Sequence, residues 1–264
     1  MFCCISHKGL WWLLGFLAVG LFLVFWPWSA VLQPVLSWVL GLAFVTFTLW
    51  ASADICSGIY VKAHCSNSRQ TGAVALTFDD GPCAQSEEVL DLLKDYGAKA
   101  TFFVVGSRME GQHKLLLRLL AEGHQLGNHT WAHRSWFPLL RPAQMRKEIM
   151  QTQTEIERVS GRTCRFFRPP FGVTNPLLAK ALKGSGMDVA GWSVRSFDTR
   201  GEAPEVVFKR ITRRLKGGDV VLLHDTSVPV VPVLKLLLPW LAQHNLQSLT
   251  LDAFWAEGPK KQPI

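Results

Sequence analysis

The stretch AVALTFDDGP, residues 73–82, joins an apolar run of strand type to two adjacent carboxylates and a Gly-Pro pair. Asp, Gly and Pro are ordinary turn residues, so the end of this stretch would by itself suit a solvated turn. Asp79 and Asp80 repel each other, however, and an apolar strand leads directly into them. Two adjacent acids at the end of an apolar strand call for an explanation, and the residues at the ends of the other predicted strands provide it.

Downstream of residue 73, short apolar runs alternate with segments of helical period. Further strands are predicted at KATFFVV (99–105), CRFFR (164–168), MDVAGW (187–192), DVVLLH (219–224) and SLTLDAF (248–254). Strands that alternate with helices through short connections predict a parallel sheet with right-handed crossovers. With about seven strands, the α/β pattern favours a distorted, incomplete (β/α) barrel, and an open doubly wound sheet is the alternative.

The N-terminal part of the chain carries no charge from Gly9 to Ala53. One helix of that length would exceed the ~30 Å hydrocarbon core of a bilayer, so we expect it to fold back between Pro27 and Pro34. This predicts an N-terminal transmembrane helical hairpin. The expected division is a membrane anchor over 1–53, with helices at about 10–28 and 32–50, a linker over 54–72 and an α/β domain over 73–264. A cleaved signal peptide and a buried helical hairpin are the alternatives.

Charges around the apolar stretch bear on its orientation. Lys8 precedes it, Lys62 and Arg69 follow it, and the turn between the two helices is uncharged. The positive-inside bias therefore predicts a multi-pass protein of the bacterial inner (cytoplasmic) membrane whose domain faces the cytoplasm. The extracytoplasmic side is the alternative, and there Cys56 and Cys65 could form a disulfide.

Three more motifs fall at predicted strand ends, the edge where α/β proteins carry their chemistry. NHTWAH contains His129 and His133, which on a helical turn would point the same way because they are four residues apart. Two imidazoles and a carboxylate are a common ligand set for a metal with open positions. FRPPFG adds Arg168 at the same edge, and LLHD adds His224.

With these motifs the chain resembles the polysaccharide deacetylase family, a carbohydrate esterase 4-like group whose shared region is called the NodB homology domain. TFDDGP resembles the first family motif, residues 129–133 the second, 168–172 the third and 222–224 the last. The resemblance covers roughly residues 73–250. It implies a metal-dependent hydrolase that removes an N-acyl group, acetyl or formyl, from an amino sugar.

The resemblance also implies roles for individual residues. Asp80, His129 and His133 would hold a divalent metal, with zinc favoured and cobalt, nickel, manganese or iron as alternatives. Asp79 would be the general base, and Arg168 would orient it. A divalent ion in this place would polarise the amide carbonyl, and it would also neutralise Asp80 beside the base.

The remaining roles belong to the leaving group and the acyl group. His224 would be the general acid, since an amine leaves poorly as an anion and needs a proton. Leu222 would line the acyl pocket. Pro170 and Phe171 would belong to the substrate and oxyanion region, with the backbone N–H of Phe171 as a donor to the oxyanion.

One motif departs from the family pattern. Where the family has Asp-x-x-Asp-Trp, this chain has Arg195, Asp198 and Thr199. Either Asp198 takes over the tuning of the catalytic His224, or a nearby cation lowers the pKa of His224. Asp225, the next residue in the chain, is a further candidate partner for His224. The departure does not change the expected class of bond, but it weakens any assignment of a specific substrate.

Composition bears on partners. The chain has a net charge of +8, and KRITRRLK (209–216) is either the solvated face of a helix or a contact for anionic lipid. No aromatic-basic reader motif is present, so nucleic acid is not an expected partner. The expected partners are an N-acylated amino-sugar glycan or lipid-linked sugar, and membrane lipids. The alternatives are an O-acetyl esterase acting on a polysaccharide and a non-catalytic glycan-binding protein.

Overall fold

The computed structural model describes residues 7–25 and 32–256. The helices are α1 (His7–Phe25), α2 (Leu32–Ala53), α3 (Ser86–Asp95), α4 (His113–Ala121), α5 (Pro142–Ser160), α6 (Pro176–Leu182), α7 (Pro204–Thr212), α8 (Val230–Gln243) and α9 (Leu251–Trp255). The strands are β1 (Ala63–His64), β2 (Ala73–Asp79), β3 (Ala100–Val104), β4 (Gln125–Asn128), β5 (Phe166–Phe167), β6 (Asp188–Ala190), β7 (Val194–Arg195), β8 (Val220–His224) and β9 (Gln247–Ser248).

Eight of the strands form one parallel sheet in the order β1-β6-β5-β4-β3-β2-β8-β7, and β9 pairs with the start of β2. The sheet curls into an incomplete barrel, so the predicted α/β fold class is confirmed. Because neighbouring strands run parallel, their carboxyl ends meet at one edge. The short strands β1 and β7, neither of which was predicted, raise the number of described strands to nine, above the predicted seven.

The central strand β2 is buried along its whole length, and its side chains alternate between two environments. Val74, Leu76 and Phe78 pack in the large apolar cluster under the helices, whereas Ala73 and Ala75 belong to the cluster inside the barrel. The period of two places Asp79 on the same face as these alanines. The register pairs Asp79 with His224 of β8, so the two side chains start from neighbouring positions.

The predicted last strand over residues 248–254 is wrong. Only Gln247–Ser248 pairs with β2, and α9 follows directly. The hydroxyl of Thr250 accepts a hydrogen bond from Ala253 N, which caps the helix, and Leu251 and Phe254 are buried on one of its faces. The apolar run therefore follows the helical period rather than the strand period.

The segment over residues 54–72, predicted as a linker, contributes to the sheet. It contains β1, which pairs with β6, and a disulfide between Cys56 and Cys65. The disulfide lies against Gly191, where an added Cβ would be 2.5 Å from Cys65 Sγ. Backbone near the barrel edge is thus fixed by this segment, while the domain boundaries themselves stay a prediction.

Among the described helices, α2 is long and apolar enough over Gln33–Ala53 to cross a membrane, with a mean hydropathy of 1.8. Rings of α1 lie beside it: Phe16 is 6.2 Å from Phe44 and 5.9 Å from Phe47 between centroids. The end of α2 is joined to the barrel, because Thr174 N donates to Ser52 O. The second transmembrane span and the membrane hairpin stay predictions.

We expect reduction of the Cys56–Cys65 disulfide to lower the thermal midpoint of the full chain in detergent. The two cysteines are 9 residues apart in sequence. Closing a loop of this size stabilises a fold by about 2–3 kcal/mol, or roughly 5–10 °C in a domain of this length. Cys56→Ser/Cys65→Ser should show the lower midpoint with and without reductant, and the free-thiol control Cys83→Ser should respond as the wild type does. A wild-type midpoint that ignores reductant would contradict the disulfide.

Candidate active site

A buried ion pair lies at the end of β2. Arg168 Nη1 donates to Asp79 Oδ1 at 2.6 Å and to Thr77 Oγ1 at 2.9 Å. The other donors of the guanidinium reach the backbone oxygens of Ala190 and Gly191, at 3.1 and 2.9 Å. Arg168 is fully buried, and its charge is matched by the acid it orients. The predicted contact between Arg168 and Asp79 is therefore present.

Asp80, His129 and His133 converge beside this pair. His129 Nε2 and His133 Nε2 lie 3.6 and 3.4 Å from Asp80 Oδ1. His129 Nδ1 is 2.8 Å from the carbonyl of Arg168, which can only accept, so Nδ1 carries a hydrogen and Nε2 faces the cluster. Burial, followed by the charge of His129, lowers the pKa of His133 to about 4, which keeps its imidazole neutral at pH 7.

The donor set fits a divalent cation. One ligand atom from each of the three residues lies within 4.8 Å of the others, and Asp80 Oδ1 is buried with no hydrogen-bond partner. A buried carboxylate oxygen without a donor is costly, and a cation between it and the two imidazoles would remove that cost. The site therefore suits a metal of the type that accepts nitrogen and oxygen ligands.

The two histidines do not lie on a helical turn, as the spacing had predicted. Residues 129–133 form a loop that bends through positive φ at Thr130 (66°) and His133 (46°). Other non-glycine residues around the site share this strained conformation, namely Asp80 (76°), Phe171 (60°) and Phe197 (55°). Such strain persists where the surrounding structure holds it, and it often gathers at functional sites.

His224 is held by Asp198. Asp198 Oδ1 is 2.8 Å from His224 Nδ1, and Asp198 Oδ2 accepts from His224 N at 2.8 Å. Burial alone would lower the pKa of His224, but the bond to Asp198 and the charges of Asp79 and Asp80 outweigh it and raise that pKa. Of the two alternatives raised by the departing motif, the contacts favour the one with Asp198 as partner of His224, and its tuning role stays a prediction.

Asp225 does not contact His224. It turns the other way, is fully buried, and accepts a hydrogen bond from Ser86 Oγ behind the turn that follows Asp80. Gly81 is required there, since any Cβ would collide with the Asp225 carboxyl group. Burial raises the pKa of Asp225 to about 7. Ser86 and Asp225 are thus supports of the turn, and sequence reasoning did not connect them.

The predicted substrate residues surround the cluster at different depths. Phe171 is half exposed, and its ring lies 5.1 Å from the ring of His133. Pro170 is buried beneath it at the start of the same turn. Leu222 is buried on β8 in register with Thr77. The oxyanion role of Phe171 and the acyl-pocket role of Leu222 stay predictions.

Two further residues that the sequence did not single out secure the site. Thr77 Oγ1 receives Arg168 Nη1 and donates to Val221 O at 2.7 Å, which ties β2, Arg168 and β8 together. Ser196 Oγ donates to Asp198 Oδ1 at 2.8 Å and steadies the partner of His224. Both lie two residues from a predicted site residue, and this proximity to a motif is the sequence signal that could have identified them.

Comparison with known proteins agrees with this geometry. The family described as "Polysaccharide deacetylase" matches residues 66–190. The peptidoglycan-N-acetylglucosamine deacetylase of Bacillus cereus is 32% identical over 185 residues, which cover 68% of this chain and 86% of that protein. The chain belongs to the polysaccharide deacetylase family. The curated relatives it matches are named as deacetylases, hydrolases that act on N-acetyl amide bonds, which is the activity that the resemblance implied.

Two further relatives have been solved as structures. The chain is 40% identical to the peptidoglycan-N-acetylmuramic acid deacetylase PdaC of Bacillus subtilis over 156 residues, 58% of this chain, and spans only 32% of the length of PdaC. The PdaC structure has a TM-score of 0.65 and 33% identity, covering 69% of this chain and 89% of the solved one. An acetyl xylan esterase from Clostridium thermocellum, solved with a cobalt ion, has a TM-score of 0.64 and 31% identity, covering 69% and 90%.

We expect Asp198→Asn to move the alkaline limb of the activity profile to lower pH by about one unit. A general acid works while protonated, so activity falls as the pH rises through its pKa. Removing the carboxylate that raises the pKa of His224 leaves burial, which lowers it. The measurement is kcat/KM for acetate release against pH. Asp188→Asn, a partly exposed acid paired with Arg165, is the control that should keep the wild-type limb. An unmoved limb in Asp198→Asn would mean that His224 is not the titrating acid.

Proposed function

We propose that the chain removes N-acetyl groups from amino sugars of bacterial peptidoglycan, using a divalent metal with zinc favoured, while α2 anchors it in a membrane. One observation carries this proposal. The Asp80–His129–His133 cluster adjoins the Arg168–Asp79 pair, and Asp79 is in register with His224, which Asp198 holds. The two deacetylases named above act, by their names, on N-acetylglucosamine or N-acetylmuramic acid of peptidoglycan, which supports the same class of bond here.

The residues divide the chemistry among them. A divalent ion held by Asp80, His129 and His133 would supply Lewis-acid polarisation of the amide carbonyl. Asp79, oriented by Arg168, takes the proton of the attacking water. His224, whose raised pKa keeps it protonated closer to neutral pH, gives a proton to the leaving amine. The N–H of Phe171 donates to the developing oxyanion, a contribution of roughly 10²–10³ in rate for a donor of this kind.

The disulfide bears on the side of the membrane. Cys56–Cys65 favours an oxidising compartment, since disulfides rarely persist in the cytosol. We therefore propose an extracytoplasmic domain, which reverses the cytoplasmic orientation expected from the charges. Peptidoglycan is the natural substrate on that side. A lipid-linked sugar, deacetylated or deformylated in the cytoplasm, becomes the second candidate and depends on the opposite orientation.

The contact between the end of α2 and the barrel supports a catalytic site that lies close to the membrane. Ala51 and Ile55 are buried against the domain, and Ser52 O receives Thr174 N. Thr174 lies three residues after Phe171, so the end of the apolar helix is fixed near the turn that borders the metal ligands. Under this proposal the enzyme acts on glycan next to the bilayer surface.

We expect chelation of divalent metal to abolish acetate release from N-acetylated glycan, and zinc or cobalt to restore it. Asp79→Asn should lower kcat by about 10²–10⁴, because a positioned general base contributes that much. Asp95→Asn, an exposed acid at the end of α3, is the matched control and should keep wild-type activity. Full activity in the chelated protein, or in Asp79→Asn, would rule out the proposed enzyme.

The bond and the compartment are tested separately. Acetate release from N-acetylated peptidoglycan should exceed release from O-acetylated xylan, and the reverse preference would favour the esterase alternative.

A C-terminal reporter that matures only outside the cytoplasm should be active. Activity of a cytoplasm-only reporter instead would exclude the extracytoplasmic domain and favour the lipid-linked substrate.

A further inference from the structure

Three arginines surround the ring of Phe197, in the segment that departs from the family pattern. The guanidinium carbons of Arg195, Arg200 and Arg210 lie 4.7, 4.1 and 5.7 Å from the ring centroid. Arg210 is neutralised, since its Nη2 is 2.5 Å from Glu202 Oε2. Within residues 7–25 and 32–256, no carboxylate pairs with Arg195 or Arg200, and both are exposed. Two cations therefore stack on one aromatic ring with no matching anion in the described part of the chain.

This cluster lies at the edge of the candidate active site. Arg195 is the last residue of β7, and it pairs with Leu222 on the strand that ends in His224. The guanidinium of Arg195 is 5.5 Å from the ring centroid of Trp192, and so is that of Arg168, which holds Asp79. One indole therefore contacts both the exposed cation and the buried one.

The indole of Trp192 also contacts the turn Pro170–Gly172, which carries the predicted oxyanion donor Phe171. Trp192 lies so close to Gly172 that any side chain there would collide with it. Gly172 follows Phe171, whose ring contacts His133. The contacts of Trp192 with Arg195 and with Gly172 thus connect the arginine to the turn whose Phe171 lies beside His133.

The chemistry of the cluster suits an anionic group. A guanidinium presents a planar fork of donors that matches a carboxylate, and stacking on a ring fixes it without using those donors. Phe197 adopts a φ of 55°, which is strained for a residue other than glycine, and Asp198 next to it is bonded to His224. The arginines are thus held next to the predicted general acid, with their N–H groups open to a ligand.

We propose that Arg195, assisted by Arg200, forms a subsite for a carboxylate carried by the amino-sugar substrate. The preferred substrate class is then an acidic amino sugar, such as N-acetylmuramic acid with its lactyl carboxylate, rather than a neutral N-acetylglucosamine polymer. This inference rests on the proposed deacetylase function and names the sugar for it. It also gives a use to the arginine that replaces the usual acid at position 195.

The test compares two substrates that differ only at the lactyl carboxyl group, which is charged in one and a neutral methyl ester in the other. One is a peptide-free tetrasaccharide of alternating N-acetylglucosamine and N-acetylmuramic acid, and the other is its carboxyl methyl ester. The ratio of kcat/KM for acid over ester is measured with the full chain in detergent. Arg195→Ala should lower this ratio about tenfold, equivalent to ~1.4 kcal/mol, mainly through KM. The ratio for Arg195→Lys should lie between those of the wild type and Arg195→Ala, because lysine keeps the charge and loses the planar fork of donors.

Arg162→Ala is the matched control. It removes the same charge from the exposed connection between α5 and β5, at the opposite end of the strands, and should keep the wild-type ratio. A wild-type enzyme that prefers the ester, or an Arg195→Ala variant that loses activity on both substrates equally, would overturn the carboxylate subsite while leaving the deacetylase standing.

Binding without turnover separates the two proposals. Calorimetry with Asp79→Asn proteins should show tighter binding of the acid than of the ester, and that difference should shrink about tenfold when Arg195→Ala is added. If the wild type releases no acetate yet this difference is present, the deacetylase function fails and the subsite stands. If the acid and the ester bind equally, the subsite fails.

Discussion

The ion pair between Arg168 and Asp79 is the interaction on which the site depends. A guanidinium with no exposed surface needs acceptors for its donors. Here Thr77 and Asp79 of β2, Ala190 at the end of β6 and Gly191 after it accept four hydrogen bonds from Arg168. The ring of Phe103 closes the remaining side, 4.1 Å from the guanidinium carbon. Breaking a buried pair of this kind typically costs about 3–5 kcal/mol, so the same contact fixes the fold and aims the base.

The adjacent acids are separated by backbone geometry. Asp79 ends the regular strand and faces the barrel interior, whereas Asp80 turns through a φ of 76° toward the two histidines. Arg108 donates to the carbonyl of Asp80, and Gly81 packs on Asp225 just behind it. The turn at Asp80 therefore gives the two neighbouring carboxylates different main partners. Asp79 binds the guanidinium of Arg168 and Asp80 faces both imidazoles, while His129 Nε2 also lies 3.7 Å from Asp79 Oδ2.

The sequence predicted the parallel sheet and the residues at its carboxyl edge, because strand period and motif position are local properties. It failed where a distant contact or a cap decides the outcome. Thr250 turns an apolar run into α9, and positive φ at Thr130 replaces the expected helical turn between the histidines. The bond between Ser86 and Asp225 joins positions 139 residues apart, which no local pattern reveals. Asp198 stood in the motif, but only the register of β7 and β8 brings it to His224.

The central claim is that Asp80 holds a metal while Asp79 works beside it without holding it. Metal content by plasma mass spectrometry, measured on the full chain purified with zinc, tests this division most directly. We predict about one ion per chain in the wild type and in Asp79→Asn, and almost none in Asp80→Asn. Equal loss of the ion from both variants would contradict the account, because Asp79 would then be a ligand rather than the base.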